Sequence, residues 1–247
     1  MKKMFPLMFN CPNKSQVFAI LAYWLLIFIF FPALIRVISW VGFMNTDALS
    51  WVEIIYHVII LAGTLIICRE YLQDSFLKVQ LEPKMVLHAV ILAAGLILLY
   101  AAGAMLYLNS LEPLPLHVSS INLDANVTVL VNPLFGTLCM SFVCPIATCC
   151  VFYATGFAPM CTRNPVLAYI LGAFVASLPR LLGYLLLSMY PHVLPTILFQ
   201  IPVHLICCWS YQKTDTIWAP IATQCVVNLI GSVFLCFGHS IGLIGLY

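Results

Sequence analysis

Long apolar runs follow one another along this chain with almost no charged residue between them, and this pattern limits what the chain can fold into. Of its 247 residues, 64% are hydrophobic and only 7% are charged, whereas an ordinary soluble domain carries about 25% charged residues. A soluble domain with so few polar side chains would expose large apolar patches to water. The composition therefore predicts a protein embedded in lipid.

A helix needs ~20 consecutive apolar residues to cross a hydrocarbon core of ~30 Å. Seven stretches of the sequence meet this requirement, at about 17–40, 52–69, 86–108, 127–155, 165–189, 193–211 and 216–237. The runs are continuously apolar, without the alternation of membrane β-strands. They predict an all-α fold, a polytopic transmembrane helical bundle of about seven spans. Residues 234–247 are the alternative eighth, short span.

Polar stretches divide the predicted spans into groups. Residues 1–108 would hold three N-terminal spans, 109–126 a polar extracytoplasmic loop, and 127–247 a four-span core. The hydrophilic segment 70–84 is predicted as a cytoplasmic loop, with a short interfacial helix within it as the alternative. Two helix starts are also predicted, at Asn164 before Pro165 and at Thr214-Asp215-Thr216 before Trp218, because these residue types cap helix N-termini.

Lysine and arginine set the expected orientation, because they are enriched in cytoplasmic loops. Eight of the ten fall on one side if the N-terminus is cytoplasmic, with Arg36 and Arg180 as the exceptions. The N-terminus is therefore predicted to be cytoplasmic, and the protein to be a multi-pass protein of the plasma (cytoplasmic) membrane. The net charge of +2 only reflects this asymmetry and does not indicate a nucleic-acid partner.

Most of the eleven cysteines lie within predicted spans, where cysteine is usually a small hydrophobic residue. The run Cys139, Cys144, Cys149 and Cys150 does not match a zinc-site spacing. The sequence therefore predicts no metal site and no cofactor.

All eight carboxylates fall in predicted loops or at span ends, so the deep ionisable residues are Arg180, His57, His204 and His88. Such residues are functional candidates because they are costly in lipid. Arg180 has two interpretations, as a scaffold residue bonded to carbonyls near Pro179 or as a residue facing a polar cavity. His57 and His204 are interpreted as interhelical contacts.

Three segments in the second half of the chain share a framework with a known family. The first contains Pro145 and Phe152, and the second spans 176–184. The third reads Thr214, Ile217, Trp218, Ala219, Pro220 and Asn228 at matching positions. Over about 130–237 the chain resembles the CAAX protease and bacteriocin-processing (CPBP) family of intramembrane glutamic endopeptidases. The resemblance implies a helical cleft that binds a membrane helix or peptide.

The residues expected to perform the family's chemistry are replaced. The paired glutamates fall on Thr148 and Cys149, the arginine on Tyr153 and the histidines on Tyr184 and Gln224, while Asn228 is retained. Threonine cannot serve as a general base, and an apolar setting makes a thiol such as Cys149 unreactive. The amides of Gln224 and Asn228 can still donate hydrogen bonds.

Three functional hypotheses remain open. The first is a non-catalytic relative of these proteases that binds a membrane protein or peptide partner in a cleft lined by Arg180, Tyr184, Gln224 and Asn228. The second is an active endopeptidase with an unusual residue set, such as Cys149 with His204. The third is an unrelated seven-span transporter or receptor, although the lack of a deep carboxylate disfavours coupled cation transport.

Overall fold

A computed structural model of the chain describes residues 14–15, 17–23, 46–110, 128–161, 163–186 and 193–240, with the side chains of 178–186 and of some other helix positions outside this description. Within these ranges the chain is helical, without β-strands, which confirms the predicted all-α class. The long helices are α1 (Thr46–Leu81), α2 (Pro83–Ser110), α3 (Pro133–Cys161), α4 (Pro165–Leu186), α5 (Val193–Thr214) and α6 (Trp218–Ser240).

Four of the described helices have the length and apolarity of membrane spans: Ser50–Leu81, Pro83–Ala104, Pro133–Cys161 and Trp218–Phe237. They coincide with four of the predicted spans. The predicted spans at 165–189 and 193–211 fall on α4 and α5, and the span at 17–40 lies mostly outside the described residues. The count of seven spans therefore stays a prediction, as does an eighth span at 234–247.

Large apolar side chains cover the outside of this bundle. Ile66 is 79% exposed, Leu99 is 72% exposed and Phe234 is 75% exposed. Exposed apolar side chains in this number are unfavourable in water but are well solvated by acyl chains. The helices therefore have the outer surface expected of an integral membrane protein.

Helix α1 corrects one prediction about the N-terminal half. The hydrophilic segment 70–84 is not a loop, because α1 continues without interruption to Leu81 and α2 begins at Pro83. The 36 residues of α1 span about 54 Å at 1.5 Å per residue, which exceeds the hydrocarbon core of ~30 Å. The charged C-terminal part of α1 therefore extends beyond the hydrocarbon region as a helix.

Helix α3 is not a regular α-helix. Two π-helical stretches, Cys139–Val143 and Cys150–Phe157, interrupt its α-helical turns. Each stretch ends with a backbone N–H bonded to a carbonyl five residues back, Cys144 to Cys139 and Ala158 to Tyr153. In both places the next residue is proline, at positions 145 and 159. A proline ring collides with the carbonyl four residues before it, and wider turns are a way to relieve that collision.

Both predicted helix starts in the C-terminal half are confirmed. The side-chain oxygen Oδ1 of Asn164 accepts a hydrogen bond from the Leu167 amide at 3.1 Å. The Thr216 hydroxyl accepts one from the Trp218 amide at 3.3 Å. Each bond satisfies an amide that has no partner within the first turn of its helix.

The helices form one bundle in which α6 packs against α2, α3 and α5, while α4 packs mainly against α5. The buried centre combines Cys149, Tyr153 and Phe157 of α3 with Tyr211 of α5 and Ile217 just before α6. Helices from both sides of the segment 109–126 therefore contribute to the same packed unit, and α3 lies between α1 and α6.

Candidate functional site

The structure brings three of the sequence-predicted site residues together between α3 and α6. Gln224 of α6 lies with its Oε1 3.5 Å from the Thr148 hydroxyl and with its Nε2 3.3 Å from the Tyr153 hydroxyl. Thr148 and Tyr153 are both on α3. These are the positions that the predicted resemblance aligns with a glutamate, an arginine and a histidine of the CPBP family, and none of the three carries that residue.

Helix α5 adds two residues that the sequence pattern does not link to this group. The Tyr153 hydroxyl lies 2.5 Å from His204 Nδ1, and Gln224 Nε2 lies 3.7 Å from the Cys207 sulfur. We call the set Thr148, Tyr153, His204, Cys207 and Gln224 the polar cluster. No pattern in the sequence could reveal the His204 contact, because His204 is 51 residues from Tyr153 and has aliphatic neighbours.

The polar cluster is almost closed to the outside. Tyr153 and Cys207 are fully buried, and His204 and Gln224 are 7% and 9% exposed. Thr148 is half-buried and is the member through which the cluster reaches the surface of the bundle. Since buried polar groups are costly unless they are hydrogen-bonded, these mutual contacts help to hold α3, α5 and α6 in register.

One acceptor of the polar cluster, Gln224 Oε1, takes part in only a weak hydrogen bond. The Thr148 hydroxyl has a single hydrogen, and its shortest contact is 2.8 Å to the Cys144 carbonyl. The Gln224 Oε1 contact to the same hydroxyl, at 3.5 Å, is therefore weak. Gln224 Oε1 is the acceptor that an incoming N–H group could engage without breaking a strong bond.

The chemistry available to the polar cluster is that of neutral groups. Its members are two hydroxyls, one thiol, one amide and one imidazole, and no carboxylate takes part in the described contacts. The Tyr153 hydroxyl can donate a hydrogen bond to His204 Nδ1 and accept one from Gln224 Nε2. The lone pair of His204 Nδ1 is then used in that bond. The set can recognise a polar group by hydrogen bonding, but it lacks the carboxylate with which a glutamic peptidase activates water.

Asn228, which the predicted resemblance identifies as a retained residue, bonds to the backbone. Its Nδ2 donates to the Met140 carbonyl at 2.9 Å. The preceding carbonyl, of Cys139, accepts from the Cys144 amide in π-helical register. With the same five-residue spacing, the Met140 carbonyl would accept a hydrogen bond from the amide of residue 145. That residue is proline and has no N–H. Asn228 therefore replaces a hydrogen bond that Pro145 removes, one turn of α6 away from Gln224.

The described contacts do not join the remaining predicted site residues to the polar cluster. Cys149 is fully buried in the core, and the contact described for His204 is with Tyr153 rather than with Cys149. The backbone of α4 passes through Arg180 and Tyr184, but the side chains of both residues lie outside the described part of the structure. The roles assigned to them stay predictions.

The segment that best matches the family framework forms a structural clamp. The Ser75 hydroxyl of α1 lies 2.9 Å from the Thr216 hydroxyl and accepts a hydrogen bond from the Ile217 amide at 2.9 Å. The Trp218 indole donates to the Leu72 carbonyl at 3.1 Å. These contacts attach the α5–α6 turn to the extended part of α1.

An ion pair reinforces the clamp. Lys78 of α1 bonds to the carboxylate of Asp215, a 4% exposed residue with a positive φ of 53° in the α5–α6 turn. Aspartate is among the few non-glycine residues that tolerate this conformation. The sequence predicts both residues in loops and does not reveal the pair, because 137 residues separate them.

Among the described residues, no group of three or more His, Cys, Asp or Glu side chains has an arrangement that could hold a metal ion. The chain matches no protein-family model, no curated protein and no solved structure.

Proposed function

We propose that this integral membrane protein binds a membrane-embedded helix or peptide at the polar cluster and does not cleave it. The observation that carries the proposal is the meeting of Thr148, Tyr153 and Gln224 between α3 and α6 without a carboxylate. These positions were aligned with the CPBP intramembrane endopeptidases from the sequence alone. Their proximity supports a degenerate relative of that family.

The hydrogen-bonding groups of the polar cluster are suited to a partner without formal charge. Gln224 Oε1 can accept from a backbone N–H, and the half-buried Thr148 provides the approach from the surface of the bundle. A peptide in lipid keeps its backbone polar groups satisfied, so an exposed N–H at an irregular turn gains from such an acceptor. An ion would gain little, because the polar cluster has no formal charge to oppose it.

The proposal also includes a place and an orientation. The distribution of lysine and arginine supports an N-terminus on the cytoplasmic side, and the membrane proposed is the plasma (cytoplasmic) membrane. In that orientation the clamp between α1 and the α5–α6 turn lies on the cytoplasmic side, and residues 109–126 lie outside.

Binding is tested with the full-length protein in lipid nanodiscs and a fluorescent apolar peptide that carries a central Gly-Gly pair. Glycine weakens the peptide helix at this point and exposes backbone N–H groups at an irregular turn. We expect saturable binding, and we expect Gln224→Met to weaken it by roughly 5–30-fold, the value of a hydrogen bond of about 1–2 kcal/mol in a membrane.

Val226→Met is the matched control, because Val226 lies on the same helix and is 41% exposed. It should leave the peptide affinity within about twofold of the wild type, since an apolar exchange on a lipid-facing surface has little effect. Equal loss of affinity in both variants would contradict a role for the polar cluster. Peptide cleavage would instead support the alternative of an active endopeptidase.

A further inference from the structure

The contacts of the polar cluster form a chain of hydrogen bonds that starts at a histidine. Nδ1 of His204 lies 2.5 Å from the Tyr153 hydroxyl, which in turn lies 3.3 Å from Gln224 Nε2. On the other side of the amide, Gln224 Oε1 lies 3.5 Å from the Thr148 hydroxyl. His204 and Tyr153 are buried, whereas Thr148 is half-buried. The chain therefore leads from a buried histidine to the member of the polar cluster that reaches the surface of the bundle.

One direction of this chain follows from its donors. An amide NH₂ group can only donate, so the Tyr153 hydroxyl oxygen accepts a hydrogen bond from Gln224 Nε2. The single hydrogen of the Tyr153 hydroxyl then needs an acceptor, and an unprotonated imidazole nitrogen such as His204 Nδ1 is a stronger acceptor than a thiol sulfur. If Nδ1 has no hydrogen, the neutral ring carries it on Nε2. In this direction the amide oxygen of Gln224 faces Thr148.

The opposite direction of the chain would present a different group. With its hydrogen on Nδ1, His204 would donate to the Tyr153 hydroxyl, whose own hydrogen could then bond to the amide oxygen of Gln224. That bond requires the amide to turn over, which exchanges its oxygen and its NH₂ group with almost no change of shape. The NH₂ group would then face the Thr148 oxygen, which can accept because the Thr148 hydrogen goes to the Cys144 carbonyl at 2.8 Å. The same side chains therefore offer an acceptor in one direction and a donor in the other.

Two contacts hold the NH₂ group of Gln224 on the side away from Thr148. One is the bond to the Tyr153 hydroxyl, and the other is the weaker contact of 3.7 Å to the sulfur of Cys207, one turn after His204 on α5. His204 itself does not reach Gln224, because the fully buried Tyr153 stands between them. His204 can therefore influence Gln224 only through the direction of the hydrogen bond that it makes with Tyr153.

We propose that His204 is a positioning residue that determines which partners the polar cluster selects. Its unprotonated Nδ1 accepts the Tyr153 hydrogen, and the Tyr153 oxygen accepts from the NH₂ group of Gln224, so that Gln224 Oε1 is the atom that meets the partner. The partner is then a peptide segment that donates an N–H group. A segment that offers only acceptors is disfavoured, because it leaves Oε1 unpaired opposite another oxygen. This inference rests on the proposed peptide binding and adds the residue that sets its selectivity.

Two peptides measure that selectivity with the full-length protein in lipid nanodiscs. The first is the fluorescent apolar peptide with a central Gly-Gly pair. In the second, ester oxygens replace the N–H groups of the two glycines, which removes the donors without adding bulk. We expect the wild-type protein to bind the first peptide roughly 5–30-fold more tightly than the second, the ratio that corresponds to one interhelical hydrogen bond. Saturable binding with equal affinities would overturn the proposal while leaving the proposed peptide binding intact.

Two substitutions of His204 separate positioning from packing. Asparagine keeps an acceptor, because its Oδ1 is bonded to Cγ as Nδ1 is, so His204→Asn should keep the affinity ratio within about twofold of the wild type. His204→Leu removes the acceptor and lets the Tyr153 hydrogen bond to the Gln224 oxygen, so the ratio should fall to about 1–2. His88→Leu, at an exposed histidine of α2, is the control and should leave the ratio unchanged. A packing role alone would weaken both peptides in parallel, so an unchanged ratio in His204→Leu, or a lost ratio in His204→Asn, would overturn the proposal.

The position of the ring hydrogen of His204 is measured without any peptide. Nuclear magnetic resonance of the nanodisc protein with nitrogen-15-labelled histidine distinguishes protonated from unprotonated ring nitrogens, and the His204 signals are those missing from His204→Asn. We expect the hydrogen on Nε2 and none on Nδ1. A hydrogen on Nδ1 would overturn the proposal even if His204→Leu does not fold. If neither peptide binds the wild-type protein, the proposed function is wrong and the selectivity falls with it, whereas the ring hydrogen still decides the direction of the chain.

Discussion

The bond between Asn228 and the Met140 carbonyl predicts a stability effect that depends on Pro145. Asn228→Ala leaves a carbonyl without its donor at a residue that is 7% exposed. An unsatisfied buried group costs about 1–3 kcal/mol, and measured interhelical hydrogen bonds in membranes average about 0.6 kcal/mol with a maximum near 1.7. We therefore expect a loss of about 1–2 kcal/mol in the free energy of unfolding.

The same substitution should cost less in a Pro145→Ala background. An alanine restores the N–H at residue 145, which can then bond to a carbonyl four or five residues back. A double-mutant cycle on the free energy of unfolding, measured by equilibrium denaturation in mixed micelles, gives the coupling between the two sites. We expect a coupling of at least about 0.5 kcal/mol. Additive effects would refute the proposal that Asn228 compensates for the proline.

Three further substitutions test other contacts by the same denaturation assay. Ser141→Ala should leave stability unchanged or raise it by up to about 1 kcal/mol, since the Ser141 hydroxyl is buried and has no hydrogen-bond partner in the described structure; a clear loss would show an important contact of that hydroxyl. Tyr153→Phe should lower the free energy of unfolding by about 1–3 kcal/mol, because it removes the hydroxyl that bonds to His204 and to Gln224. An unchanged free energy would mean that the polar cluster does not stabilise the bundle. Lys78→Met should lower the free energy of unfolding more than Asp215→Asn does. The first variant leaves the carboxylate of Asp215, which is 4% exposed, without the Lys78 ion pair, whereas the second removes that negative charge. The reverse order would contradict this account of the clamp.

The sequence predicted the parts of the fold that depend on local patterns. Apolar runs indicated the long helices, and the caps at Asn164 and Thr216 marked where α4 and α6 begin. The same logic failed at 70–84, because a charged segment can remain helical when it leaves the bilayer. A polar stretch shows where the lipid ends, whereas the helix ends only where its hydrogen bonds end.

The candidate site was predictable only in part. The resemblance placed Thr148, Tyr153 and Gln224 among its residues, but five residues of an α-helix turn by about 500°, which would put Thr148 and Tyr153 on different faces. The wider turns that begin at Cys150 reduce this separation. The contacts of His204 and Ser75 were not predictable, because each depends on how separate helices rotate in the bundle.

The central claim is that the polar cluster binds a membrane peptide without hydrolysing it. A single-turnover experiment tests this claim most directly, with the protein in excess over a lipid-inserted peptide in water enriched in oxygen-18. The account predicts that the peptide remains bound at its original mass, because no carboxylate of the polar cluster activates water. Two fragments, one carrying oxygen-18 in its new carboxylate, would contradict the claim.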